Sequence, residues 1–113
     1  MVKIYDKLVR DKVPEIIEET GDTPITSILG ESEYRRELYR KLQEECNEVF
    51  EATSREQSIE ELAYVLEVLK AIANLEDKQM SDVIEKAQEK KLTRGGFQKR
   101  IFLEKTISKE KSD

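Results

Sequence analysis

The chain of 113 residues is long enough for one domain and too short for two comfortable ones. Charged residues make up 40% and hydrophobic ones 37%, and 25 acidic against 20 basic side chains leave a net charge of −5, which argues against a general nucleic-acid binder. Histidine is absent, which excludes His-based nucleophilic triads and His-ligated zinc and leaves carboxylates as the expected chemistry.

The N-terminus, VKIYDKLV, alternates with Val2, Ile4 and Leu8 on one side. That pattern predicts a strand, with Asp6 as its flaw. Pro14 opens a short helix, PEIIEET, which Gly21 stops, and GDTPITSILG over 21–30 reads as a loop. A long helix is expected from about Ser32 to Ala52, with Leu38, Leu42, Cys46 and Val49 as its apolar stripe. The polar segment TSREQS interrupts it. Ser58 then offers an N-cap with Glu61 at N3 of a capping box, opening a helix from Ile59 to about Leu75. That helix is apolar over most of its girth and belongs in the middle of a bundle. Ser81 caps a fourth helix to about Leu92, with Val83, Ile84 and Ala87 inward, and Arg94-Gly95-Gly96 ends it. The tail FQKRIFLEK alternates at Ile101 and Leu103 as a pairing partner for the first strand, and 107–113 is expected to fray. The fold expected is an all-α bundle of about four helices, one domain over 1–113, with short extended terminal segments.

A chain this polar buries a modest core alone, so a homodimer or higher homo-oligomer is expected. No run of 18 apolar residues predicts a membrane span. With no charged-then-apolar leader and one cysteine, Cys46, the expected location is a reducing cytoplasm.

At about 100° per residue, Glu45 falls beside Leu38 and Val49 at the margin of the apolar stripe. Glu48 lies a step further round and Glu44 further still. Glu61 falls at the stripe margin of the next helix. If these helices pack antiparallel through a short connection, Glu45, Glu48 and Glu61 converge. Three close carboxylates repel, and a divalent cation resolves the repulsion. An all-oxygen set points to Mg²⁺ or Mn²⁺, hard ions that keep waters and complete their shells with phosphates. The competing reading makes Glu61 a capping partner of Ser58, and Glu44, Glu45 and Glu48 a solvated face paired with Arg40 and Lys41.

The blocks KLVRDKVPEII, KLQEECNEV, EELAYVLEV and KKLTRGGFQKRI, in that order from Lys7 to about Leu103, resemble the all-α nucleoside-triphosphate pyrophosphohydrolases, in particular the MazG-like and phosphoribosyl-ATP pyrophosphohydrolase-like branch. The family motif is E-E-x-x-E, a spacer, then E-x-x-D. Glu44, Glu45 and Glu48 match its first half, and Glu61 opens its second. Tyr64 stands where the closing aspartate belongs. The resemblance implies a helical dimer or higher oligomer that holds Mg²⁺ between helices. It implies hydrolysis of a nucleoside triphosphate between its α and β phosphates, yielding a nucleoside monophosphate and pyrophosphate. By that resemblance Glu45, Glu48 and Glu61 bind metal, and Glu44, with Glu45, acts on the attacking water. Arg10 and Lys12 fit as phosphate contacts or as surface charge. Lys91 and Arg94 fit as phosphate contacts or as complements to a helix C-terminus. A phenol brings no charge to a Mg²⁺ site, so Tyr64 leaves either a weaker enzyme or an impaired relative that binds nucleotide or partner subunits.

Overall fold

The computed structural model describes residues 1–109. Four helices follow in order: α1, Val13–Glu19; α2, Glu31–Glu51; α3, Arg55–Leu75; and α4, Met80–Arg94. The described residues contain no strand, so the architecture is all-α. The expected terminal pairing does not form. Asp6 (φ 44°) and Arg100 (φ 58°) both adopt left-handed backbone, which an extended strand does not accommodate. Both ends instead run as irregular segments, and the expected frayed tail extends beyond the described residues.

The turn between α2 and α3 is tighter than its polar composition implies. Ser54 is the N-cap of α3, and its Oγ accepts from the Gln57 backbone N–H at 3.1 Å. Gln57 Oε1 accepts in return from the Thr53 backbone N–H at 3.0 Å. The S-x-x-Q signature thus acts one turn before the S-x-x-E signature at Ser58 and Glu61. Arg55, Glu56 and Gln57 are good helix formers that extend α3 backward. Ser58 is therefore inside the helix, and Glu61 sits near the end of its second turn with no capping role.

α2 and α3 form an antiparallel hairpin. Arg35, early in α2, pairs with Glu76 just past the end of α3. Between them Leu38, Val68 and Ala73 are buried, and Leu42, Val49, Val65, Leu69 and Ile72 are half-buried. α3 lies between α2 and α4, but α4 touches only α3. Its start is fixed by Gln79 and Asp82 rather than by Ser81. Asp82 accepts from the Gln79 N–H at 2.8 Å, and the Gln79 side chain accepts from the Asp82 N–H. Gly95, at φ 79°, ends it.

α4 buries none of its residues. Val83 (44% exposed), Ile84 (52%) and Ala87 do not face inward as expected, because nothing among the described residues covers them. The radius of gyration is 20.5 Å, and the molecule extends 75 × 35 × 28 Å. A compact chain of this length has a radius of roughly 13 Å.

Candidate metal centre

The middle of the hairpin brings three carboxylates together. Glu45 and Glu48 are three residues apart on α2 and share a face of that helix. Glu61 faces them from α3. One carboxylate oxygen of each lies within 4.8 Å of the others. Glu45 and Glu61 are buried, at 8% and 9% exposure, and Glu48 is half-buried. The solvated-face reading therefore does not describe Glu45; of its expected partners Lys41 does pair with Glu44 and Glu45, while Arg40 turns to Glu37 instead, at 3.2 Å.

Oε2 of Glu45 and Oε2 of Glu61 are each buried without a hydrogen-bond partner. Burying a charged oxygen unpaired is costly, and native structures rarely leave one so. Burial pushes the Glu45 carboxyl above its ordinary value, and Glu48 pushes in the same direction, while Lys41 opposes both. Burial likewise raises Glu61, followed by the neighbouring Glu48 and by Glu45. Each shift says that the ionised form is disfavoured here, by burial first and by the neighbouring carboxylates second.

The donor set is oxygen alone, and the chain has no histidine to change it. Two orphaned buried oxygens, with a third carboxylate beside them, are a donor set that could hold a hard divalent ion. The two lysines nearby do not neutralise the cluster. Lys41 Nζ lies 3.7 Å from both Glu45 Oε1 and Glu44 Oε1. Lys7 Nζ lies 3.5 Å from Glu44. Glu44 is thus held beside the cluster by two lysines and is not part of the convergence.

The remaining site candidates separate. Arg10 comes to α3, its guanidinium carbon 5.9 Å from the centre of the Tyr64 ring. Lys12 is exposed at the N-cap of α1, where its side chain makes no capping bond. Lys91 and Arg94 lie in the last turn of α4 and line a separate concavity with Gly95, Gly96 and Phe97. α4 makes no contact with α2, so one chain does not bring Lys91 and Arg94 to Glu44, Glu45 or Glu48. Lys7 was missed in the sequence because the alternating pattern assigned it to the outer side of a strand.

No family model matches the chain, and no solved structure matches it. A relative from Mycolicibacterium smegmatis, described as an uncharacterized protein, is 41% identical over 54 residues, which are 48% of this chain and 55% of that protein. The match thus spans about half the length of the relative.

Proposed function

We propose that the protein is a Mg²⁺- or Mn²⁺-dependent nucleoside triphosphate pyrophosphohydrolase, converting a nucleoside triphosphate and water to a nucleoside monophosphate and pyrophosphate. The observation that carries this reading is the convergence of Glu45, Glu48 and Glu61, with one oxygen of Glu45 and one of Glu61 buried and unpaired. The resemblance of four blocks in order, including E-E-x-x-E and the first acid of E-x-x-D, supplies the reaction class.

Glu45, Glu48 and Glu61 would hold the ion. Bound there, it would neutralise triphosphate charge and acidify a water. Glu44, steadied by Lys7 and Lys41, stands next to Glu45 as the group that orients the attacking water and takes its proton. Arg10 is the phosphate contact best placed for the role, and Lys12 follows it on the same segment. Lys91 and Arg94 complement the C-terminal dipole of α4 in a single chain.

The chain functions as a homo-oligomer in this reading. Three buried apolar side chains are a thin core, and Ile59, Leu62 and Leu66 leave an exposed stripe along α3. A second reading, a relative that holds nucleotide without cleaving it, is favoured by Tyr64. Pyrophosphate release from a panel of nucleotides with Mg²⁺ or Mn²⁺ separates the two. Turnover that disappears in Glu45→Gln and Glu48→Gln supports the enzyme. Saturable Mg²⁺-dependent binding without release supports the second reading.

A further inference from the structure

The segment ahead of α1 crosses the seam between α2 and α3 beside the glutamate cluster. Lys7 reaches Glu44 on α2, and Arg10 reaches Tyr64 on α3. Glu44 precedes Glu45, and Tyr64 follows Glu61 by one turn, so each attachment is made beside a member of the cluster. Three extended residues span about 10 Å. That matches the roughly 8–10 Å between the axes of packed helices. Leu8, between the two attachments, is half-buried and helps seat the strap.

The two cations of the strap end in different states. Lys7 is engaged by a carboxylate. Among the described residues Arg10 has no ion pair; its partner is an aromatic ring. A guanidinium over a ring keeps its charge, and its N–H groups stay available for a planar anion. An aspartate at this position would pair with Arg10 and cancel that charge.

We propose that Tyr64 is a positioning residue, which holds Arg10 at the edge of the glutamate cluster so that its guanidinium binds a phosphate of the substrate. This rests on the pyrophosphohydrolase reading for the identity of the substrate. The loss of a carboxylate and the presence of an unneutralised arginine are then two sides of one substitution. The phenolic oxygen has no part in it; only the ring does.

The probe is inorganic tripolyphosphate, which carries the phosphates without a base, titrated calorimetrically into the full chain with Mg²⁺. The wild-type chain binds it saturably. Arg10→Ala weakens binding about tenfold, the scale of one charge-assisted contact. Tyr64→Leu weakens it about threefold, the scale of one exposed cation–π contact. The double variant is no weaker than Arg10→Ala alone, and Tyr64→Phe restores wild-type affinity. Arg10→Lys, on an exposed strap, also loses affinity and serves if Tyr64→Leu does not fold. Mn²⁺ affinity without phosphate stays constant across the series, because the ring acts through Arg10 and not on the ion.

Full affinity in Tyr64→Leu, or losses that multiply in the double variant, overturns the proposal. So does a wild-type chain that does not bind tripolyphosphate. Failure of the hydrolase reading shows separately, as wild-type binding with no pyrophosphate released from any nucleotide.

Discussion

Burial is what separates Glu45 from Glu44, its neighbour on α2. Glu44 keeps two lysines and 34% of its side-chain exposure, while Glu45 keeps one lysine and an orphaned oxygen. The raised carboxyls of Glu45 and Glu61 have a thermodynamic consequence. For an acid whose folded value is raised, the stability it contributes is full below the ordinary carboxylate range, near 4.3. That stability is lost as pH rises through the raised folded value. In chelator, Glu61→Gln should therefore melt above wild type at pH 8, and the gap should close towards pH 4. Mg²⁺ at a hundredfold excess over its Kd should add about 2.7 kcal/mol to wild type and nothing comparable to the variant. A constant gap across pH, followed by differential scanning calorimetry, contradicts this.

Tyr64→Asp tests the same site from the other side. It should raise Mn²⁺ affinity and kcat by adding a carboxylate, and raise KM by pairing with Arg10; steady-state pyrophosphate release reads both. The three acids were legible in the sequence, Glu45 and Glu61 from their place at the apolar margin and Glu48 from its place a step further round. The role of Tyr64 was not, because only the folded strap brings Arg10 to its ring.

At the scale of the elements, the helices themselves were legible, and so were the starts of α1 and α2; the start of α3 and the cap of α4 were not. Two capping signatures overlap around residues 54–61, and sequence alone gives no reason to prefer the first. The reciprocal bonds of Ser54, Gln57 and Thr53 decide it. Ser54→Ala should cost about 1 kcal/mol in thermal or urea unfolding. Ser58→Ala, inside the helix, should cost much less. The opposite order would return the start of α3 to Ile59 and make Glu61 a capping residue again. The terminal strands failed for a local reason that alternation does not register, since one left-handed residue in each segment, Asp6 and Arg100, turns the chain.

On the scale of the whole molecule, the apolar pattern was read correctly as helical and incorrectly as internal. Val83 and Ile84 on α4, with Leu62 and Leu66 on α3, have the spacing of core positions and stand exposed in one chain. A sequence pattern marks what is to be buried without saying in which copy. Light scattering should find more than one chain per particle. Leu66→Glu, on a face that a monomer leaves in water, should shift the distribution towards single chains. A monomeric wild type, or no shift, contradicts the oligomer.

Function in this protein is proposed to turn on an ion held by three glutamates from two helices. Mn²⁺ titration of the full chain, followed by electron paramagnetic resonance, tests it most directly. Binding should saturate at no less than one ion per chain and be abolished in Glu48→Gln and in Glu61→Gln while both variants stay helical. Binding that fails to saturate, or that survives both substitutions unchanged, contradicts it.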